Sequence, residues 1–525
     1  MSLDKHGKPL WIYLLVTAVL CGALVMVIEV LGSRVIGPFF GVSLFVWTSL
    51  ITVTLVALAL GYAVGGVVSD RYESPLYLYA IILLSSVFVL LVPVLKAPVL
   101  KLCVPMGLRG GAFVSTLLLF GPALFLLGCV SPYLVKIATR ELHKLGRVVG
   151  GLYALSTVGS TIGTVLTGFL LIAFLGVDRI FLVTGIMLVV LAVGYYVMFE
   201  RRYWTLVFLL FPVLFYHPIH TESAIRPDGT KVSLVHKKDS YYGEVKVVDY
   251  SFGPRHIREL LIDGMIQGGI DMTNHLSLYE YSYYIQFLSY MLNPDGKNCL
   301  VIGLGTGVIP RWYEQQGVKC DVVDIDPEVL HVAKTYFDFN ISGESIVDDA
   351  RYYLASTDKK YDYIVLDVFN GDVTPSHLVS AEALQLLNKH LASGGVVGIN
   401  LIGSIKDNSY MTASVVKTLK TIFDHVELYP TFDVMPNNGV GNLILMSYNG
   451  QTRTLHNPRL TTLEIHPRLD QAIRAHLGTR FDFPATTPAI VLTDDYNPID
   501  FYDSWLRESI RRGLINGMDW SVLLG

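Results

Sequence analysis

Six stretches of about twenty apolar residues, at 11–31, 43–67, 76–95, 113–137, 149–175 and 181–199, crowd into the first 217 positions of this chain. A hydrocarbon layer ~30 Å thick is crossed by roughly 20 residues of α-helix, and lipid gives unpaired backbone groups no partner. Helices that span a bilayer are therefore the expectation for all six. A seventh run, 203–216, is shorter and contains Pro212. Spanning, re-entering and lying at the interface stay open for it, and a non-spanning segment is favoured. The first run is too long for a signal peptide and lacks a small-residue cleavage site, so it reads as a retained span.

Loop charges suggest an orientation. Lys5, Lys8, Arg71, Lys136, Arg140, Lys144, Arg147, Arg201 and Arg202 fall in the N-terminus and alternate loops, against Arg34, Lys96, Lys101, Arg109 and Arg179 in the others. The excess places the N-terminus in the cytosol. Six spans then return the chain to the cytosolic side of an inner or plasma membrane. Glu29, inside the first span, needs a partner because burying a bare carboxylate is costly, and Arg34 is the expected one. Gly61 and Gly65 have the spacing that lets two helices approach closely.

Beyond His217 the sequence is that of an ordinary globular protein. The expected organisation is a transmembrane domain over 1–217, a small β subdomain with an aromatic-rich helix over 218–297, a Rossmann-like nucleoside-binding domain over 298–450, and a C-terminal extension over 451–525. Net charge is −4 and no basic run forms a footprint for nucleic acid. The five cysteines are scattered without C-x-x-C spacing and read as buried thiols. His256 and His275 lack metal-ligand spacing, so no metal is expected.

Short alternating runs at 232–235, 244–250 and 259–262 predict strands, and 278–291 predicts a helix. From Asn298 the pattern becomes strand, glycine-rich turn, helix, strand, helix, the signature of a parallel doubly wound α/β domain. Its central feature is an apolar strand opening into Gly303-Leu304-Gly305-Thr306-Gly307. Glycines there let backbone approach a ligand that a Cβ would exclude. Asp324 ends the next strand, nineteen positions after Gly305, where a carboxylate can accept both ribose hydroxyls. Asp348-Asp349 follows a third apolar run, in reach of an adenine amine. Asp367 ends a fourth strand, 363–366, and falls in the crevice outside the strand ends. Each acid alone could simply cap a helix or turn. Four strand-end features in register point instead to a nucleoside. The early third glycine and a closing strand pair, 426–429 with 443–447, resemble the S-adenosylmethionine-dependent class more than dehydrogenases.

Taken in order, Leu261-Ile262-Asp263-Gly264-Met265-Ile266-Gln267, Tyr279 on a Tyr-rich helix, the 303–307 loop, Asp324-Ile325-Asp326, Asp348-Asp349-Ala350 and Leu366-Asp367 resemble the motif series of spermidine synthases. The likeness runs from about Val232 to Tyr448, and the apolar half resembles bacterial proteins that fuse a multi-span module to such a domain. It implies aminopropyl transfer from a sulfonium donor, decarboxylated S-adenosylmethionine or S-adenosylmethionine, with release of methylthioadenosine and no tightly bound cofactor. By resemblance, Asp324 holds the ribose and Asp349 the adenine, Gln267 and Tyr279 flank the reacting region, and Asp367 orients and deprotonates the attacking amine. Tyr241, Tyr242, Tyr279 and Phe369 offer aromatic faces to the cation.

Departures from the family bear on the substrate. Thr306 stands where an acid usually grips the donor's amine, Asn370 where a second aspartate usually binds the diamine, Gly243 where a glutamine follows Tyr242, and His275-Leu276 where an acidic pair precedes the Tyr helix. Fewer carboxylates weaken selection for a diamine and a decarboxylated donor. Intramolecular cyclisation of S-adenosylmethionine to methylthioadenosine plus a cyclic amino acid or lactone is the runner-up. Nucleoside sensing coupled to a transporter is the alternative of another class. A polyamine acceptor and a second copy of the chain stay open as partners beside the lipid bilayer. The segment Leu492-Thr493-Asp494-Asp495-Tyr496-Asn497-Pro498 resembles one in membrane-fused relatives, and a lid role is open for its two acids.

Overall fold

The computed structural model describes residues 3–41, 44–139, 145–215, 223–369, 374–433, 439–455 and 463–517. They form two compact units, one comprising the first 220 residues with Asp239–Gly243, the other essentially the remainder.

In the first unit, helices Leu3–Phe40, Leu44–Arg71, Pro75–Cys103, Gly107–Ala138, Leu145–Leu166 and Val177–Met198 carry the six expected apolar runs; the fifth run continues past Leu166 through a π turn, Thr167–Leu171, to Leu175. By length and composition the described residues offer five continuous runs able to cross a membrane, not six. The difference is local: Pro75–Ala138 is one 64-residue run because the third and fourth segments are joined by a 3₁₀ turn, Val104–Met106, rather than by a polar loop. Gly107 at φ 79° ends that turn, and the two helices pack against each other. Of the segment 203–216, the described residues 203–215 form a 3₁₀ helix, Tyr203–Leu210, and a short α-helix, Phe211–Phe215. At roughly 20 Å it is shorter than a ~30 Å hydrocarbon layer.

Small residues set the helix approaches. A Cβ added at Gly61 would lie 2.3 Å from the Phe125 carbonyl oxygen, and one at Gly65 would lie 2.6 Å from Cys129 Cα. The expected Glu29–Arg34 pair is absent, because the Arg34 guanidinium donates instead to the Tyr241 carbonyl. All five cysteines are free and buried.

The second unit begins with a five-stranded sheet in sequential order: β1 (Ser223–Ile225), β2 (Lys231–Asp239), β3 (Glu244–Phe252), β4 (Arg255–Ile262) and β5 (Met265–Asp271). Strand β5 was not expected; its adjacent Gly268 and Gly269 break the apolar alternation that marks a strand in sequence. The helix Glu280–Leu292 follows and buries nearly every side chain. A seven-stranded sheet completes the unit: β6 (Asn298–Ile302), β7 (Lys319–Asp324), β8 (Ser345–Val347), β9 (Tyr361–Leu366), β10 (Leu391–Ser404), β11 (His425–Pro430) and β12 (Val440–Tyr448). Their order is β11-β12-β10-β9-β6-β7-β8. Strands β6 to β10 run parallel, while β12 is antiparallel to both β10 and β11. The chain leaves β6 in one direction towards β7 and later returns on its other side at β9. The crevice between the carboxyl ends of β6 and β9 is thus the topological switch point, where ligands bind in open α/β sheets.

Candidate active site

The switch point fixes which side chains meet. Gly303 N–H donates to the Val323 carbonyl and Asp367 N–H to the Ile302 carbonyl, both at 2.9 Å, so the glycine loop and Asp367 emerge side by side. Gly303, Gly305 and Gly307 have φ of 89°, 52° and 76°, a region that side chains with a Cβ rarely adopt. The three do different work. A Cβ on Gly303 would sit 2.1 Å from the Asp367 carbonyl oxygen, and one on Gly307 2.6 Å from Phe339, so these two permit packing. At Gly305 the nearest atom is the Gln267 carbonyl at 3.5 Å, leaving it open to a ligand.

Asp324 sits at the end of β7. Its Oδ2 accepts from Leu304 N–H at 2.8 Å and its Oδ1 from Asp326 N–H at 2.9 Å, which fixes the carboxylate plane against the loop. Burial pushes its pKa up to about 6, opposed by those two N–H groups. Asp348 N–H donates to the Asp324 carbonyl at 3.1 Å, so the two acidic strand ends are neighbours. Asp349 caps the helix Ala350–Ser356: its Oδ1 accepts from Arg351 and Tyr352 N–H at 2.9 and 3.0 Å. Its Oδ2 lies 3.9 Å from His377 Nε2.

Asp367 is held differently. Its Oδ1 accepts from Asn400 Nδ2 at 2.8 Å, and Asn400 Oδ1 accepts from Asn442 Nδ2 at 3.0 Å. Burial raises the Asp367 pKa to about 6, and the Asn400 donor opposes that rise. Neither asparagine was singled out from sequence. The available signal was one amide in the apolar run Val396-Val397-Gly398-Ile399-Asn400-Leu401, a strand that itself was not expected.

Strand β5 faces the loop. A Cβ on Gly268 would lie 3.3 Å from Thr306, and 3.7 Å from the Tyr281 hydroxyl. Tyr281 donates to the Gln267 carbonyl at 3.3 Å, and burial first, with the charge of Asp367 adding to it, raises the phenol's pKa. Tyr281, not the expected Tyr279, is therefore the phenol on the loop side of β5. Tyr279 instead donates to Glu259 Oε1 at 2.7 Å, and a Cβ on Gly269 would point at both of them. Neighbouring residues of a strand face opposite ways, which puts Tyr279 behind β5. His275, at φ 59°, lies 2.9 Å from Asp338 and lines a separate cavity with Arg311.

Asp494 makes a bidentate pair with Arg351 at 2.8 and 2.6 Å, tying the 493–498 segment to the helix that Asp349 caps. Asn370 lies outside the described residues. Tyr242 is half-exposed and groups with the first unit, so it is not among the side chains brought together here. Among the described residues no cluster of three or more His, Cys, Asp or Glu could hold a metal ion.

Residues 278–455 match the spermine/spermidine synthase domain. Over 125 residues the chain is 37% identical to a polyamine aminopropyltransferase of Vibrio vulnificus, covering 22% of this chain and 41% of that protein. Over 139 residues it is 39% identical to an N-terminal histidine N-methyltransferase of Emericella nidulans, covering 26% of this chain and 25% of that protein. The chain thus spans less than half the length of these curated relatives. A solved structure of a probable spermidine synthase from Corynebacterium glutamicum aligns at a TM-score of 0.39 and 18% identity, over 48% of this chain and 96% of that one.

Proposed function

We propose that this protein is a membrane-bound, spermidine-synthase-like transferase that moves an aminopropyl-type group from a sulfonium nucleoside to an amine and releases methylthioadenosine. The observation that carries this reading is the half-buried Asp367 carboxylate, fixed by Asn400 at the switch point beside a glycine loop whose open member, Gly305, faces Gln267. The spermine/spermidine synthase match over 278–455 supports it.

The chemistry follows from these groups. The sulfonium is already a good leaving group, so the site has to align nucleophile and carbon, exclude water and keep the amine neutral. The amine lone pair attacks the methylene carbon next to sulfur. The C–S bond breaks with its electron pair going to sulfur, which leaves as the neutral thioether methylthioadenosine. The new ammonium gives a proton to Asp367, which passes it to solvent. With its pKa near 6, Asp367 is ionised at neutral pH yet close enough in basicity to take a proton in the crevice. Asp324 would accept the ribose hydroxyls, Asp348 and Asp349 would border the adenine, and Gly303, Gly305 and Gly307 would let the backbone lie against the nucleoside. Gln267 and Tyr281 would flank the reacting carbon, and Asn370 remains a proposed contributor to the acceptor side.

A second reading rests on Thr306, which faces Gly268 with a neutral hydroxyl where an acid would grip a donor amine. A site built this way also suits S-adenosylmethionine, whose own amine or carboxylate can attack the same carbon. The apolar helical unit would hold the enzyme in the bilayer. Mass spectrometry of detergent-purified protein with either donor, with and without putrescine, separates the outcomes. Methylthioadenosine with an aminopropylated amine supports transfer. Methylthioadenosine from S-adenosylmethionine alone supports cyclisation, S-adenosylhomocysteine would mean methyl transfer, and no product would favour nucleoside sensing.

A further inference from the structure

Asp367 just past the end of β9, Asn400 on β10 and Asn442 on β12 form a single polar row across three adjacent strands. Asp367 follows Leu366, which pairs with Ile399; Asn400 is thus its neighbour on β10. Across the antiparallel β10–β12 ladder Asn400 pairs with Ile444 and Ile402 with Asn442, so Asn442 is a diagonal neighbour of Asn400 on the same face. Asn400 is fully buried. Asn442 is pinned by its own backbone, whose carbonyl accepts from Thr431 N–H and Oγ1, both at 3.1 Å.

The polarity of the row is fixed from one end. An ionised carboxylate only accepts, so Asn400 must turn its Nδ2 towards Asp367, and its Oδ1 is left to accept from Asn442. A flipped Asn400 would face acceptor to acceptor at Asp367 and donor to donor at Asn442. We infer that Asn400 and Asn442 are positioning residues for Asp367: they hold Oδ1 and leave Oδ2 as the oxygen that takes the amine's proton. This rests on the reaction proposed above.

A purely structural role fits poorly. Replacing both partners of a buried polar pair by apolar groups of similar shape is often neutral or stabilising, so stability alone would favour leucines here. What leucines cannot do is donate a hydrogen bond to the Asp367 carboxylate. Among the described residues, the groups placed next to Asp367 are the Tyr281 phenol from the helix Glu280–Leu292, the backbone of Gly303 from the loop, and Asn400 from β10. Asp324, at the end of β7, is the other half-buried acid of the crevice. Among these, Asn400 is the donor that favours the ionised form.

The test is an infrared pH titration of the full-length, detergent-purified protein, with Asp367→Asn as the reference that identifies the Asp367 carboxyl signal. Asn400→Leu should raise the pH at which Asp367 titrates by about one. It should also lower kcat about 10–100-fold, move the acid limb of the rate profile upward by the same amount, and leave donor Kd within about two-fold. Asn442→Leu, which leaves Asn400 in place but unanchored, should give a smaller change in the same direction, and stands in if Asn400→Leu does not fold. Unchanged Asp367 titration in the folded variants would overturn the inference whatever their activity. A shifted titration in a protein that releases no methylthioadenosine from any donor would uphold the positioning and remove the reaction.

Discussion

Replacing Asp367 with Asn changes the proposed base and little else. The new side chain keeps an oxygen where Oδ1 now accepts from Asn400 at 2.8 Å, and the backbone that packs against Gly303 is untouched. The row and the glycine loop should therefore survive. With a pKa of about 6 the wild-type carboxylate is largely ionised at pH 7.5, so nearly all of its basicity is available and all of it is lost in the variant. General-base catalysis contributes about 10²–10⁴-fold, which corresponds to about 3–5 kcal/mol on the barrier. Initial rates of methylthioadenosine release should fall by that factor, while calorimetric Kd for the donor changes by less than about three-fold. The wild-type rate should also decline as pH falls through about 6, as the base takes up a proton. A variant rate within about three-fold of wild type, or a donor Kd that weakens as much as the rate, would refute the assignment of Asp367 as base.

The same substitution should affect stability with a definite sign. Because folding raises the Asp367 pKa from 3.8 to about 6, the carboxylate is accommodated most easily below pH ~4 and costs stability as pH rises through 6. Apo Asp367→Asn should melt later than wild type at pH 7.5, by on the order of 1–2 kcal/mol, and the two should converge near pH 4 in a thermal melt. Asp324→Ala should weaken donor binding by about 10–100-fold in calorimetry, since it removes both the ribose acceptor and the anchor for Leu304 N–H. Gly303→Ala should lower Tm markedly because its Cβ meets the Asp367 carbonyl, whereas Gly305→Ala should leave Tm closer to wild type and show its loss in donor Kd. Asp494→Ala should cost only about 0.5–1 kcal/mol in a melt, because the Arg351 pair is partly solvated, and should raise donor Kd by less than about five-fold.

Legibility from sequence tracked how locally each feature is encoded. Apolar runs of helical length declare themselves without tertiary knowledge, and all six lie within helices; their joints do not, so the 3₁₀ connection at Val104–Met106 turned two expected spans into one run. The strand, glycine loop and acidic strand ends of the α/β domain are each short-range patterns, so Gly305, Asp324 and Asp367 could be picked out one by one. Long-range partners could not. Asn400 meets Asp367 across 33 positions, and Asn442 meets Asn400 across 42. Glu29 likewise had a nearby cation in Arg34, but that guanidinium goes to the Tyr241 carbonyl, 207 positions away. Tyr279 and Tyr281 differ by two positions on a tyrosine-rich stretch, and only the fold of β5 decides that the latter meets the Gln267 carbonyl while the former goes to Glu259.

The most direct test of the account supplies decarboxylated S-adenosylmethionine labelled with ¹³C in its aminopropyl carbons, together with putrescine, and counts both products by mass spectrometry. Wild-type protein should yield methylthioadenosine and labelled aminopropylated amine in equal amounts, and Asp367→Asn should yield little of either. Methylthioadenosine without labelled amine, or a methylated product beside labelled decarboxylated S-adenosylhomocysteine, would contradict it.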